Sequence, residues 1–366
     1  MSLKITIFGL TLSSSWGNGH ATPYRAIIRA LDRQGHQVVF YEKDVDYYAK
    51  RRDFSQWRHC DLVLYGQWAD VRRQAMDDAA GSDAVIVASY CPDGARISDE
   101  VLDLWRPVRV FYDLDTPVTL SNLRRGDLDY LCRDQIAQFD LYLSFTGGRI
   151  LDELEATWGA HRARPLHGCV DPDMYPRVQK TDEFRCDLSY MGTYAADRQE
   201  KLDALFLEPA RRLSDQAFTL AGSLYPYEWS WPENVRKFEH IAPANHPAFY
   251  SSSRATLNIT RGEMARSGYC PSGRFFEAAS CGAAIITDNW DGLSSFFTLG
   301  EEILPVSTAD DVMAALQLPD SELSAMAARA RQRTLDEHTG VHRAQELLHW
   351  IEEARHSGQM IHQEAA

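Results

Sequence analysis

The chain has 366 residues, more than one hydrophobic core usually fills, so we expect two domains. Its 52 acidic and 38 basic residues give a formal net charge of −14, which disfavours a nucleic acid as partner because such ligands are bound largely through Lys and Arg. No apolar run approaches the roughly 20 residues that a membrane-spanning helix requires, so no membrane span is predicted.

The seven cysteines are spread singly along the chain and form no C-x-x-C pair. An odd number of cysteines cannot all pair within one chain, which favours a reducing compartment, and we expect a cytoplasmic protein. Because neither an H-E-x-x-H zinc pattern nor a phosphate-binding P-loop pattern occurs in the sequence, we predict no bound metal and no tightly bound cofactor.

The first half of the chain alternates short runs rich in Val, Ile, Phe and Tyr with longer amphipathic segments. Such alternation predicts β-α-β units and a parallel sheet. The predicted strands are Lys4–Gly9, Gln37–Glu42, Asp61–Gly66, Asp83–Ser89, Val108–Asp113 and Leu141–Phe145. The first helix is predicted over Pro23–Gln34, with Thr22 as its N-cap.

The loop after the first predicted strand combines small and polar residues with one aromatic residue. It contains Trp16, Gly17, Asn18, Gly19 and His20. Ligands of open parallel sheets bind beyond the carboxyl ends of the strands, so we predict that this loop lines a binding site. A neutral imidazole at His20 can take a proton from a hydroxyl group, and the alternative is a loop histidine that bonds only locally.

Two acidic residues, Asp113 and Asp115, follow the strand predicted over Val108–Asp113. They are candidates to orient the His20 imidazole through its second nitrogen. The Asp-x-Asp spacing can also hold a divalent metal, but it recurs at Asp127–Asp129 and at Asp171–Asp173 in this acidic chain. We therefore do not predict a metal site there.

A stretch rich in Pro and Asp, residues 171–185, predicts a linker between the two domains. The predicted organisation is an N-terminal domain at 1–170, the linker, a C-terminal domain at 186–340, and a closing helix with a tail at 341–366. The strands predicted for the second domain are Cys186–Met191, Phe218–Ala221, Arg236–Ile241, Ala255–Thr260, Ala283–Thr287 and Glu302–Val306. Both domains are thus predicted to be α/β, with Rossmann-like, doubly wound sheets.

The turn after the first strand of the second domain contains Gly192 and Thr193, and Arg198 lies one turn along the next predicted helix, Ala196–Leu213. A glycine lets the backbone approach a ligand closely, so this turn is a candidate phosphate contact. The alternative is a tight turn beside a solvated arginine. An aromatic group, Tyr225, Tyr227, Trp229 and Trp231, is interpreted as packing or as a stacking surface.

The segment around Ser272 carries the most informative pattern. Ser272 is placed to cap a short helix that begins at Gly273, and the free N–H groups of such a helix start, together with Arg274, suit a diphosphate. Glu277 lies one turn further, where its carboxylate can accept two hydrogen bonds from a vicinal diol such as that of ribose. The alternative is an exposed ion pair between Arg274 and Glu277 with little energetic effect.

Several of these stretches resemble the GT-B glycosyltransferases, and specifically their spore-maturation, CgeB-like branch. The resemblance rests on R-F-F-E-A-A-S-C-G-A from Arg274 onwards, on G-C-V-D-P-D-M-Y-P from Gly168, and on H-T-G-V-H-R-A-Q-E-L-L from His338. It implies two Rossmann-like domains that face each other across a cleft. It also implies a nucleotide diphosphate sugar as donor, bound by the second domain, and an acceptor hydroxyl on a small molecule or glycan.

Carried over to this sequence, the resemblance makes Glu277 the ribose ligand and the turn from Ser272 to Arg274 the diphosphate site. The string G-H-A-T-P from Gly19 is similar to the G-H-x-x-P of inverting nucleotide-sugar transferases. This implies that His20 is the general base and that its loop, with Trp16, Gly17, Asn18 and Gly19, lies on the acceptor side. Related retaining enzymes have a second Glu near the positions that Tyr269 and Cys270 occupy here. Inversion of the sugar carbon is therefore favoured.

With that second Glu absent, Asn289 or Asp291 is expected to contact the donor sugar, although both are common turn residues. Two other functions remain open at this stage. One is a nucleotide-sugar epimerase or hydrolase on the same fold, and the other is a protein that binds a nucleotide sugar or a partner without catalysis.

Overall fold

A computed structural model describes residues 2–226 and 229–364, with side chains described up to residue 357. The chain divides into two compact units, Met1–His167 together with Gly340–Ala366, and Gly168–Thr339. Residues 171–185, the predicted linker, lie in the second unit, and the closing helix lies in the first. Of the helices in the described part of the chain, none has an apolar stretch long enough to cross a bilayer.

The first unit is built on a sheet of seven parallel strands in the order β3-β2-β1-β4-β5-β6-β7. The strands are β1 Lys4–Gly9, β2 Gln37–Lys43, β3 Asp61–Tyr65, β4 Ala84–Ala88, β5 Val108–Asp113, β6 Leu141–Ser144 and β7 Ala163–Pro165. Strand β7 was not predicted, because three residues are too few to show a strand pattern. The order reverses between β1 and β4, as in a doubly wound sheet.

The second unit repeats this architecture with six parallel strands in the order β10-β9-β8-β11-β12-β13. They are β8 Cys186–Met191, β9 Phe218–Ala221, β10 Val235–Phe238, β11 Ser253–Asn258, β12 Ala284–Asp288 and β13 Leu304–Val306. Ile285 and Ile286 of β12 belong to different apolar clusters, one on each face of the sheet. The predicted fold class, two α/β units with doubly wound parallel sheets, is confirmed.

Helices connect the strands and close the chain. They are α1 Ala21–Arg33, α2 Asp46–Ala49, α3 Trp68–Ala80, α4 Gly94–Leu102, α5 Thr116–Arg125, α6 Arg149–Ala156, α7 Ala196–Leu202, α8 Glu208–Arg212, α9 His246–Ser252, α10 Gly262–Ser267, α11 Gly273–Ser280, α12 Ala309–Gln317, α13 Asp320–Glu337 and α14 Gly340–Glu364. A π-helical segment, Asp203–Leu207, joins α7 to α8. The continuous helix predicted from Ala196 to Leu213 is therefore interrupted, next to Pro209, which has no backbone N–H to donate.

Helix α1 begins two residues earlier than predicted, and Thr22 lies inside it. The reason is Asn18, whose side-chain oxygen accepts the backbone N–H groups of His20 at 3.0 Å and Ala21 at 3.3 Å. Pro23 is tolerated there because the first N–H groups of a helix have no intrahelical partner.

Helix α14 packs against α1 within the first unit, where a side chain at Gly340 would come 2.3 Å from the carbonyl oxygen of Ala26. It extends to Glu364, so the tail predicted beyond residue 356 is helical as far as the structure describes it. Glu353 of α14 pairs with Arg162 at 3.1 Å and with Arg164 at 2.8 Å.

Candidate active site

The loop that follows β1 is held by Glu42, a buried carboxylate near the end of β2. Glu42 Oε2 accepts the backbone N–H groups of Leu12 at 2.7 Å and Ser13 at 2.9 Å. Its Oε1 accepts the hydroxyl groups of Thr11 at 3.0 Å and Ser13 at 2.5 Å. A buried carboxylate is stable only when its acceptor sites are filled, so these four bonds fix the start of the loop. Sequence analysis missed Glu42, and its one signal is a charge at the end of an apolar strand.

Further along the same loop, Asn18 sets the position of His20. Besides accepting the two N–H groups at the start of α1, Asn18 donates its amide to the carbonyl oxygens of Ser14 at 3.1 Å and Trp16 at 3.2 Å. Gly17 has a φ of 64°, a left-handed conformation that glycine adopts without strain. Gly19 is exposed and faces open space. The predicted acceptor-side residues thus form one ordered turn.

The His20 side chain is only 9% exposed and lies beside Asp115. Its Nε2 is 3.7 Å from Asp115 Oδ2, within ion-pair range but longer than a hydrogen bond. Its ring also meets the edge of the Tyr90 ring, with 5.4 Å between the centroids. Nδ1 is buried and has no hydrogen-bond partner among the residues that the structure describes. The imidazole therefore has one nitrogen near a carboxylate and one unused.

Asp113 does not contact the His20 imidazole in the described structure, so the prediction that it orients this ring is corrected. Its buried carboxylate accepts hydrogen bonds from the hydroxyl groups of Tyr142 at 2.6 Å and Thr119 at 2.8 Å, and from the backbone N–H of Asp115 at 3.1 Å. Burial raises the pKa of Asp113 to about 6. Asp113 thus positions the turn that carries Asp115, which is the residue beside His20.

In the second unit, Arg274 ties three segments together at the carboxyl edge of the sheet. Its guanidinium donates to the carbonyl oxygen of Met191, to that of Ile259 at 3.1 Å, and to Ser272 Oγ at 3.0 Å. Gly192 is required for this approach, because a side chain there would lie 2.9 Å from Arg274 Nη1. Both predicted phosphate contacts, the Gly192 turn and Arg274, are therefore adjacent.

Arg198 belongs to the same group of cations. It donates to the carbonyl oxygen of Thr193, while its Nε is buried without a hydrogen-bond partner among residues 2–226 and 229–364. Burial lowers the pKa of Arg198, and the charges of Arg274 and Arg261 act in the same direction. Arg261 already pairs with Asp197 at 3.3 Å. The neighbouring charges of Arg198 and Arg274 around an unsatisfied donor form an arrangement that an anion would stabilise.

The start of α11 differs in one respect from its prediction. Ser272 occupies the N-cap position, but its hydroxyl accepts from Arg274 and does not cap the helix. Glu277 is buried, with 7% of its surface exposed, and a side chain at Gly273 would lie 3.8 Å from Glu277 Oε1. The alternative of an exposed Arg274–Glu277 pair is therefore wrong, and the Glu277 carboxylate lies beside the helix start.

Asn289 and Asp291 are exposed on the turn after β12, at the same edge of the sheet. The segment around Tyr269 holds this turn, because the Asp291 carbonyl oxygen accepts the backbone N–H of Tyr269 at 2.7 Å. A side chain at Gly292 would meet the Tyr269 ring at 2.5 Å. Tyr269 thus serves to hold this turn in place.

Two further features of the described residues concern metal ligands and the aromatic group. In the part of the chain that the structure describes, no group of three or more His, Cys, Asp or Glu side chains could hold a metal ion. Of the predicted aromatic group, Tyr225, Trp229 and Trp231 contact one another and Tyr194, and the Tyr225 hydroxyl donates to the Gly192 carbonyl oxygen at 2.9 Å. Tyr227 lies outside the described residues.

Part of the chain matches a known protein family. Residues 198–349 match the family described as Glycosyl transferase-like. A sucrose-phosphate synthase from Thermosynechococcus elongatus has a similar structure, with a TM-score of 0.69 and 11% identity over 97% of this chain and 100% of that one. No curated protein sequence is significantly similar to the chain.

Two further solved structures are similar. Anabaena HepE, in complex with UDP and glucose, gives a TM-score of 0.67 and 9% identity over 96% of this chain and 100% of its own. An alpha-glucosyltransferase in complex with UDP gives a TM-score of 0.70 and 12% identity over 96% of this chain and 100% of its own. At such identities the likeness establishes the fold, which is GT-B, while the CgeB-like branch stays a prediction.

Proposed function

We propose that this protein is a GT-B glycosyltransferase that moves a sugar from a UDP-sugar to the hydroxyl group of an acceptor. The observation that carries the proposal is the group of Arg198, Arg261 and Arg274 beside the Gly192 turn, because these cations and the buried Glu277 suit a nucleoside diphosphate. The family match supports sugar transfer, and the UDP bound in similar structures supports the uridine nucleotide. We also assign the chain to the CgeB-like branch, on its sequence motifs.

The second unit would bind the donor. Arg198 and Arg274 would neutralise the diphosphate, together with N–H groups of the Gly192 turn and of the start of α11. Glu277 would accept hydrogen bonds from the ribose hydroxyl groups. Thr193, Ser272 and Gly273 would line this site, and the exposed side chains of Asn289 and Asp291 would contact the sugar.

The first unit would supply the base. Asp115 near Nε2 favours the imidazole tautomer that is protonated there, which leaves Nδ1 of His20 to take the proton of the acceptor hydroxyl. The acceptor oxygen then attacks the anomeric carbon, and the bond from that carbon to the diphosphate breaks. The diphosphate leaves with the electron pair, and the arginines stabilise its charge, so no metal is needed. Nδ1 is buried in this structure, so side chains around it must move before the acceptor hydroxyl can reach it.

We propose inversion at the anomeric carbon, since direct attack assisted by one base gives that result. One similar structure is that of an alpha-glucosyltransferase, so the configuration at the anomeric carbon of the product tests the proposed inversion directly. We expect a small-molecule or glycan acceptor. The seven cysteines, all in the described part of the chain, form no disulfide there, which supports the cytoplasm as the compartment.

The proposal is tested by measuring the melting temperature with UDP-, GDP-, TDP- and ADP-sugars. A ligand that binds the folded state stabilises it with the logarithm of its concentration, and we expect the largest shift from UDP-sugars. A melting temperature unchanged by every nucleotide sugar would contradict the proposal. With a UDP-sugar and an acceptor pool, the anomeric proton coupling of the product then decides between inversion and retention. Without an acceptor, an isomeric nucleotide sugar would indicate an epimerase instead.

A further inference from the structure

Tyr90 has a strained backbone beside the candidate base. It follows β4 directly and has a φ of 60°, a left-handed conformation that is costly for a bulky side chain. Two turn hydrogen bonds hold it there, from Cys91 N to the Ala88 carbonyl oxygen at 3.2 Å and from Gly94 N to the Cys91 carbonyl oxygen at 2.9 Å. The result is that a partly exposed phenol ring lies 5.4 Å from the His20 ring.

Two more aromatic residues lie at neighbouring strand ends. In the sheet, β2, β1 and β4 are adjacent, and Tyr47, Trp16 and Tyr90 lie in the connections that leave their carboxyl ends. Tyr47 is 50% exposed, and its hydroxyl lies so close to Gly17 that a side chain there would meet it at 2.5 Å. We call these three residues the aromatic rim.

The cations near the aromatic rim are already engaged. Lys43 pairs with Asp93 at 2.8 Å, Arg52 pairs with Asp44 at 2.7 Å, and Arg51 lies over the Trp16 ring at 4.1 Å. A polyanion gains affinity from cations that are available to it, whereas a sugar ring needs only an aromatic surface for its C–H face and polar groups for its hydroxyls. The chemistry of this surface therefore suits a neutral ring compound.

We infer that the aromatic rim is an acceptor subsite that takes a neutral pyranoside, with Tyr90 packed on the ring of the sugar whose hydroxyl His20 deprotonates. This inference rests on the proposed function for its place in the reaction, but the binding it describes is independent of donor chemistry. The strain at Tyr90 persists because it keeps the aromatic ring next to the imidazole.

The test is saturation-transfer NMR of the full chain with methyl pyranosides of glucose, galactose, mannose and N-acetylglucosamine. We expect transfer to the ring C–H protons of at least one pyranoside. Tyr90→Gly, which removes the ring and relaxes the backbone, should weaken that binding about tenfold, as expected for one aromatic contact. Tyr90→Phe should retain it. Leu224→Gly is the matched control for relaxing a left-handed residue, since Leu224 has a φ of 69° and lies in the second unit, away from the aromatic rim.

Three results would overturn the inference: no transfer to any pyranoside in the wild type, equal transfer in Tyr90→Gly, or displacement of the pyranoside by an oligo(dT) strand. If Tyr90→Gly does not fold, Tyr90→Asn replaces it, because Asn tolerates the left-handed conformation. UDP binding, followed by melting temperature in each variant, should not change. Lost UDP binding in the wild type with pyranoside binding intact would contradict the proposed function and leave the subsite standing.

Discussion

The two units have the same fold, but the candidate site residues at the carboxyl edges of their sheets differ, being acidic residues and a histidine in the first unit and mainly arginines in the second. In the first unit this edge presents carboxylates and an imidazole, with Glu42, Asp113, Asp115 and His20 at the strand ends. In the second unit it presents arginines, Arg198, Arg261 and Arg274, around a glycine turn. Because strand order is equivalent in both sheets, the fold sets where a ligand binds and the side chains at the strand ends set which ligand.

The different side chains at the two sheet edges suit two different roles in a transferase, the base and the diphosphate site. A base must stay uncharged until it takes a proton, and a neighbouring carboxylate stabilises the charge it then acquires. A leaving diphosphate needs fixed positive charge. The comparison therefore predicts that substitutions in the first unit change turnover, while substitutions in the second unit change donor affinity.

The largest effect is expected for His20→Ala. Loss of a general base should lower kcat by roughly 10²- to 10⁴-fold, with the Kd for UDP near that of the wild type. Initial rates of UDP release with saturating donor and acceptor give kcat, and calorimetry gives the Kd. His161→Ala is a matched control, because His161 is an exposed histidine of the same unit outside the candidate site. Turnover at the wild-type rate in His20→Ala would remove His20 from the role of base.

Arg198→Ala should have the next largest effect. Without the Arg198 guanidinium, the diphosphate loses one positive charge that would stabilise it. We expect kcat/KM for the UDP-sugar to fall about 100-fold, as when a hydrogen-bond donor that stabilises developing charge is removed. Arg211→Ala is a matched control, since Arg211 is exposed on α8 and forms a surface ion pair with Glu208 at 3.5 Å. An equal, small effect of both substitutions would show that Arg198 contacts no phosphate.

A smaller effect is expected for Glu277→Gln. The amide retains the shape of the side chain and loses the charge that strengthens bonds from ribose hydroxyl groups, so UDP affinity should fall about tenfold. Calorimetry with UDP and with 2′,3′-dideoxy-UDP checks the assignment. If the dideoxy compound loses as much affinity in the variant as UDP does, the ribose contact is wrong.

The smallest effect on activity is expected for Asp113→Asn. Its main effect is expected on how the free energy of unfolding depends on pH. The folded-state pKa of about 6 lies above the value near 3.9 of an unfolded chain, so the contribution of Asp113 to stability falls as the pH rises from about 4 to about 6. Relative to Asp113→Asn, the wild type should therefore lose about 3 kcal/mol of unfolding free energy between pH 4 and pH 7.

The wild type must be compared with Asp113→Asn, because the contribution of His167 to stability depends on pH in the opposite direction. Burial, with the charge of Arg343 acting in the same direction, lowers the pKa of His167 to about 4, so its contribution rises as the pH increases from about 4 to 6.5. That contribution is present in both proteins and cancels in the difference. Urea unfolding at each pH provides the measurement, and a difference that does not vary with pH would contradict the assignment.

Much of the fold was predictable, because buried parallel strands are continuous apolar runs whose residues can be read from the sequence. Every predicted strand is present, with ends that differ by three residues or fewer. The early start of α1 was not predictable, since it depends on Asn18 folding back over two N–H groups. The same is true of β7, which forms only because β6 offers an edge to pair with.

The candidate site was predicted in part. His20, Arg198 and Glu277 stand at strand ends or helix starts, where local patterns reveal them. Asp113 and Asp115 are two residues apart on one segment, and only the burial of the first separates their roles. Glu42 acts through contacts with a distant segment, and its one signal in the sequence is a charge at the end of an apolar strand. Tyr90 acts through its backbone conformation, which leaves no signal in a single sequence.

The most direct test of the division between the two units is calorimetric titration of UDP into the wild type, Arg198→Ala and His20→Ala. The account predicts that Arg198→Ala binds UDP at least about tenfold more weakly than the wild type, and that His20→Ala binds it equally well. UDP affinity unchanged in Arg198→Ala, or lost in His20→Ala, would contradict it.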